Sequence, residues 1–186
     1  TSVSGVVPQI ELGLVAITKR SAKLNLISPF GREGFYPEKS FKNDYCFSKD
    51  RIFPKSNQSL PNSLKRFFKT AETSSIALEG QELLRFVSED LQPLQSELKI
   101  TIEGSLPEQI NLEPTICIRH EALDNSTLIS FPAIVYGEPP IAIVTGDTIE
   151  YLSSDRVPVR GQKQLDRENQ LKFKLKSEFG LQFDQT

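Results

Sequence analysis

Methionine and tryptophan are absent from the sequence, histidine occurs once and cysteine twice. With a single histidine and no Cys-x-x-Cys pair, a zinc site would need carboxylate and thiol partners that only the fold could bring together. We therefore interpret His120 as a strand-end histidine. Cys46 and Cys117 are far apart, which predicts two reduced thiols. Isoleucine flanks Cys117 on both sides, so a buried sulfur is expected there rather than a Cys–His nucleophile.

Long apolar runs and phosphate-binding loops are also absent. No run of about 18 apolar residues exists and no signal sequence opens the chain, so we expect a cytoplasmic protein with no membrane partner. The nearest glycine-rich candidate, at residues 145–147, lacks the second glycine and the Lys-Ser/Thr of a Walker loop. We expect no cofactor. Because the chain begins with Thr1 and has no methionine, we also expect it to be a piece of a longer protein.

The distribution of charge is uneven although the net charge is only −2. Residues 1–70 carry 12 Lys and Arg against 5 Asp and Glu, residues 71–155 carry 3 against 15, and residues 156–186 carry 7 against 4. Such a pattern is compatible with a basic face beside an acidic one, which would suit a polyanion partner. It is equally compatible with solvated charges that simply vary along the chain.

Alternation of apolar residues predicts strands at residues 9–18, 24–27, 98–102, 115–120, 128–135, 141–144 and 148–152. Apolar stripes predict a short helix after Ser59, a second helix over residues 83–94 that Pro93 and the segment after it bring to a close, and a third over residues 163–179 that Gly180 caps. For the third segment a strand is the alternative, because Leu171, Phe173 and Leu175 alternate with lysines. The fold class is therefore α+β, with a mainly antiparallel sheet and two or three helices. We divide the chain into residues 1–75 and 76–186, or treat it as one continuous domain.

Aromatic and basic residues alternate within residues 28–57. Such a segment can stack on single-stranded nucleic acid or anchor an irregular loop to the core, and the sequence leaves both interpretations open.

Several short segments, in order and approximate spacing, are similar to one known family. They are LEGQELLRFV (78–87), LQPL (91–94), PTICI (114–118), IVYG (134–137), VPVR (157–160) and a final run through Glu168, Leu171 and Leu175 to Phe-Gly-Leu at 179–181. Residues 76–183 thereby resemble the region upstream of the ATPase motor in bacterial Swi/Snf-type helicase-like proteins. The family's ATP-binding and helicase motifs are absent. The resemblance implies a non-enzymatic accessory domain that contacts nucleic acid, regulates a motor in the same parent chain, or holds a partner.

Seven cations near the C-terminus form the candidate DNA-binding surface, because dense Lys and Arg can contact phosphates without reading sequence. They are Arg156, Arg160, Lys163, Arg167, Lys172, Lys174 and Lys176. One alternative is a protein-interaction module that uses the acidic face of the second helix, through Glu82, Glu89 and Asp90. Another is a metal-dependent nuclease built on acids such as Asp147 and Glu150, or Glu97 beside Lys99.

Overall fold

The computed structural model describes residues 10–27, 60–68 and 75–180, together with the backbone of four short strands within residues 2–54. The aromatic and basic segment of residues 28–57 and both interpretations of it fall outside the described side chains, as does Cys46. The chain divides into two compact units. Unit 1 contains residues 1–83 and 90–105, and unit 2 contains residues 84–89 and 106–186.

The elements follow one another as β1 (Ser2–Val3), β2 (Glu11–Thr18), β3 (Ser21–Ile27), β4 (Phe41–Lys42), β5 (Tyr45–Ser48), β6 (Arg51–Pro54), α1 (Asn62–Lys65), β7 (Ser75–Glu79), α2 (Gln81–Arg85), a π-helical turn (Phe86–Asp90), α3 (Leu91–Glu97), β8 (Lys99–Glu103), β9 (Glu108–Ile110), β10 (Pro114–Ala122), β11 (Leu128–Tyr136), β12 (Ala142–Thr145), β13 (Thr148–Tyr151), β14 (Arg156–Pro158) and α4 (Gln162–Phe179). This is an α+β fold with several mainly antiparallel sheets, as the sequence predicts.

Unit 1 is organised on a four-stranded sheet in the order β7-β3-β2-β8. Alternation in β2 and β3 buries Leu12, Leu14 and Leu24 completely, which confirms the predicted hairpin. β7 pairs antiparallel with β3, and β8 pairs parallel with β2. These pairings join residues 75–103 to the N-terminal hairpin within unit 1.

The second predicted helix is present and continues past Pro93, which lies inside α3, to Glu97. The π-helical turn directly before α3 widens the helix. In such a turn each carbonyl would accept from the residue five positions later, and for Ser88 that residue is a proline without an N–H. The Ser88 carbonyl instead accepts the backbone N–H of Arg160 at 3.0 Å.

Unit 2 contains an antiparallel sheet in the order β10-β11-β12-β13. The three successive strands predicted after residue 128 are confirmed, with Gly137 (φ 84°) in the first turn and Gly146 (φ 59°) in the second. β9 lies in a region where the sequence analysis predicts no strand. β9 is three residues long and pairs in parallel with β14, so its extended form depends on a distant partner rather than on local periodicity.

The C-terminal helix α4 agrees with the prediction at both ends. It begins after Gly161 and ends at Gly180, whose φ of 63° is the left-handed conformation that closes helices. Gln164, Glu168, Leu171 and Leu175 form its buried face, which packs against β10 and β11. Within the described ranges, no helix is long and apolar enough to cross a membrane.

Candidate functional surface on the C-terminal helix

Arg160 is buried, with 7% of its surface exposed, and cannot belong to a DNA-binding surface. Its guanidinium donates to both carboxylate oxygens of Glu168, from Nε and Nη2 at 2.8 Å each, and from Nη1 to Glu89 Oε1 at 2.8 Å. Its inclusion among the phosphate contacts is therefore corrected. A planar fork of five donors suits this double engagement, which a lysine could not reproduce.

Glu168 is the centre of this buried network, being 1% exposed. Besides Arg160 it accepts the hydroxyl of Tyr136 at 2.6 Å. Burial, together with the hydrogen bond to the Glu168 carboxylate, raises the pKa of Tyr136, and burial raises that of Tyr151. Glu168 and Glu89 raise the pKa of Arg160 against the opposing effect of its burial. Tyr136 and Tyr151 thus stay neutral while Arg160 stays charged. The network therefore stabilises the packing of α4 on the sheet.

The other six cations do not form one surface. Arg156 is exposed on β14, where it lies opposite Glu108 of β9. The remaining five lie on α4, whose residues follow one another at about 100° around the axis. That spacing places Lys163, Arg167 and Lys174 within about 40° of one another and Lys172 and Lys176 on the opposite side. We call Lys163, Arg167 and Lys174 the α4 stripe; all three are exposed.

Lys172 is unsuited to phosphate binding because its Nζ lies 3.3 Å from Asp147 Oδ1, with only 17% of the lysine side chain exposed. Lys176 is exposed on that side of the helix. Of the seven predicted cations, the three of the α4 stripe therefore lie together and exposed on one side of a single helix.

A groove of about 230 Å³ runs beside the stripe and is lined by Glu113, Pro114, Lys163, Gln164, Asp166, Arg167 and Gln170. Lys163 Nζ lies 2.9 Å from Glu113 Oε1. The pKa of Glu113 is lowered, first by the hydrogen bond and charge of Lys163 and further by the charge of Arg167. Both cations therefore act on the same carboxylate, which supports their placement on one side of α4. An external anion that binds Lys163 and Arg167 would therefore have to compete with the Glu113 carboxylate.

The other candidate residues are dispersed or already bonded. Glu89 is bonded to Arg160 and Arg85, and Asp90 is paired with Arg66, so two of the three acids proposed for docking a basic partner are engaged. Asp147 pairs with Lys172, and Lys99 pairs with Glu11. Among the residues whose side chains are described, no three His, Cys, Asp or Glu come together as a metal site.

Cys117 and His120 do not form a catalytic pair. Three residues apart on β10, they point to opposite faces of the sheet. Cys117 is a free, partly buried thiol that packs against Ala133, Val135 and Ile143, in agreement with the expected apolar environment. His120 Nδ1 lies 2.7 Å from Ser130 Oγ on the exposed face.

Sequence reasoning missed both the buried network and a second surface, formed by the outer halves of β10 and β11. A usable signal for the network was Glu168 itself, a charged residue on the same side of α4 as Leu171 and Leu175. Comparison with known proteins adds no assignment: no family model, curated protein or solved structure matches this chain.

Proposed function

We propose that this chain is a non-catalytic accessory domain that contacts the phosphate backbone of nucleic acid through the α4 stripe. The observation that supports the proposal is the alignment of three exposed cations, Lys163, Arg167 and Lys174, along one side of a single helix. Residues 163 and 174 are separated by about 16 Å along the axis, a distance over which several phosphates of a strand can be contacted. Such contacts position a nucleic acid without reading its sequence.

The expected interaction is weak and electrostatic. Three phosphate contacts correspond to a salt slope of about −2.7 for duplex DNA and about −2.1 for a single strand. Nonspecific binding of this kind has dissociation constants of about 10⁻⁴ to 10⁻⁶ M at physiological salt. In a larger ATPase, which the resemblance to Swi/Snf-type proteins implies, a contact of this strength would hold DNA beside the motor while allowing it to move.

Fluorescence anisotropy with labelled single- and double-stranded DNA at a series of salt concentrations tests the proposal. We expect binding that weakens steeply as salt rises, and that a Lys163→Ala/Arg167→Ala/Lys174→Ala variant loses both the affinity and the slope. A Lys172→Ala/Lys176→Ala variant removes two cations from the opposite side of the same helix and should retain most of the slope. No binding at the lowest salt, or equal losses in the two variants, would contradict the proposed function.

A further inference from the structure

The outer halves of β10 and β11 form a two-stranded arm, residues 118–132, that extends past the rest of its sheet. β10 and β11 pair along their whole length, from Pro114 with Tyr136 to Ala122 with Leu128. β12 pairs with β11 only from Ile134 to Tyr136. The described strands therefore leave residues 118–132 paired with each other alone.

The tip of the arm is a hydrogen-bonded turn, and the arm exposes apolar side chains. Asp124 Oδ1 accepts the backbone N–H groups of Ser126 and Thr127, each at 2.8 Å, and these bonds lower the pKa of its carboxyl group. Around this ordered turn, Ile118, Leu123 and Leu128 are 56%, 69% and 65% exposed. A group of exposed large apolar residues on one element is typical of a contact surface.

The outer edge of β10 has backbone groups available for another strand. Leu123 N donates to Thr127 O, and the constant register of the pair places the bonds to β11 at the odd-numbered residues of β10. The N–H and C=O groups of Ile118, His120 and Ala122 therefore point away from β11, and no described strand pairs with them. An open edge of this kind is a template for pairing with another chain.

The two edges of the arm differ. On the outer edge of β11, Pro132 has no N–H and lies just where pairing with β12 has ended, so that edge is interrupted. The edge of β10 contains no proline between residues 115 and 122. Pairing by strand addition is thus possible along β10 alone.

The charges on the β10 edge are self-complementary about His120. Arg119 and Glu121 flank His120 and share one face of the strand, with Arg119 Nη2 3.0 Å from Glu121 Oε1. If two β10 strands pair antiparallel about His120, Arg119 of each copy lies opposite Glu121 of the other. The same register makes residues 118, 120 and 122 the hydrogen-bonded positions, in agreement with the direction of their backbone groups, and places Ile118 opposite Ala122 on the other face.

We infer that the β10 edge binds a second copy of this chain in a symmetric antiparallel pairing centred on His120. The pairing joins two arms into one four-stranded sheet with a closed box of four alternating charges. It has the self-complementary form that a twofold interface requires. It uses residues separate from the α4 stripe, so it stands or falls independently of nucleic-acid binding.

Sedimentation velocity over a concentration series, combined with charge reversal, tests the pairing. Arg119→Glu places two carboxylates opposite each other on both sides of the axis, and Glu121→Arg places two cations there; each variant alone should dissociate about tenfold more readily. An equimolar mixture of the two variants restores opposite charges at every position and should dimerise at least as well as the original chain. Lys176→Glu reverses an exposed charge on α4 rather than on the β10 edge, and should leave dimerisation unchanged.

A site-specific crosslink gives an independent measurement. The two residues at position 120 would lie about 5.5 Å apart between their Cα atoms, so a His120→Cys variant should form covalent dimers rapidly with a short bismaleimide, whereas Glu150→Cys should not. Circular dichroism checks that each variant is folded. A chain that stays monomeric at several hundred micromolar, or a mixture of the two charge variants that fails to recover dimerisation, would overturn the inference. Capture of an unrelated extended peptide by a monomeric chain would likewise replace the second copy as the occupant.

Discussion

Arg160 and Glu168, eight residues apart in the sequence, form a buried ion pair with two parallel hydrogen bonds of 2.8 Å. The pair joins the segment before α4 to the buried face of the helix, and Glu89 and Tyr136 complete it from the π-helical turn and from β11. This arrangement fixes the rotation of α4 about its axis. The rotation in turn determines which of the helix's lysines and arginines face solvent together as the α4 stripe.

Breaking this pair should strongly destabilise unit 2. Arg160→Met leaves two carboxylates, Glu168 and Glu89, without their cation in a buried site, and we expect the free energy of unfolding to fall by about 4 kcal/mol. Arg167→Met removes an exposed arginine from the same helix and should change it by about 0.5 kcal/mol or less. Urea unfolding followed by circular dichroism measures both. Similar losses in the two variants would show that the buried pair does not stabilise the fold.

The buried tyrosines should make stability fall at alkaline pH. The pKa values of Tyr136 and Tyr151 are raised in the folded chain above about 10 in the unfolded chain. The folded state therefore holds protons that the unfolded state has lost, so the contribution is complete below pH 10 and declines as pH rises above it. We expect a Tyr136→Phe/Tyr151→Phe variant to show a flatter decline between pH 10 and 11.5 in unfolding experiments. An unchanged slope would contradict the assigned protonation states.

Gly104 should tolerate a side chain poorly. Its φ is +83°, and an added Cβ would lie 2.9 Å from the carbonyl oxygen of Ala16. We expect Gly104→Ala to cost about 3 kcal/mol of unfolding free energy. Gly80 lies in the same unit with φ +54° and open space around it, so Gly80→Ala should cost only about 1 kcal/mol. Thermal unfolding of the two variants side by side measures the difference, and equal costs would count against the close approach to Ala16.

Glu113 should weaken the binding of external anions to the α4 stripe. Its carboxylate bonds to Lys163 and lies in the field of Arg167, so it competes with a phosphate for both cations. Glu113→Gln should therefore strengthen DNA binding by about threefold at low salt, since an exposed ion pair is weak and its loss frees the cations for phosphate. Glu150→Gln, at an exposed position of β13, removes the same charge and serves as the control. Weaker binding in Glu113→Gln would mean that phosphates do not reach this part of the helix.

The elements of this fold follow closely from the sequence because most of them carry their own periodicity. The alternation of residues 10–16 and the stripe of Leu171 and Leu175 predict β2 and α4 directly, and Gly180 marks the end of the helix. β9 could not be found in this way, because three residues provide no periodicity and the strand exists only through its pairing with β14. Pro93 does not end the helix because the Ser88 carbonyl, which would lack a donor at Pro93, accepts the backbone N–H of Arg160 instead.

The candidate surface was predictable in composition but not in geometry. The sequence indicates a dense group of cations near the C-terminus, and five of them do lie on one helix. Which of them cooperate depends on the rotation of α4, which Glu168 and Arg160 set through contacts with residues as distant as Glu89. Arg160 resembled the others because a buried arginine and an exposed one have the same local sequence signal. The arm could not be predicted because the apolar alternation of β10 is the same whether or not a neighbouring strand covers it.

The salt dependence of duplex DNA binding in Lys174→Ala and Lys176→Ala tests the central claim most directly. The two exposed lysines are two residues apart on α4 and lie on opposite sides of it, so the variants match in charge, helix position and chemistry. We predict that Lys174→Ala reduces the magnitude of the slope by about 0.9, the value of one lost phosphate contact, while Lys176→Ala leaves it unchanged. Equal slopes in the two variants would show that the α4 stripe does not contact nucleic acid.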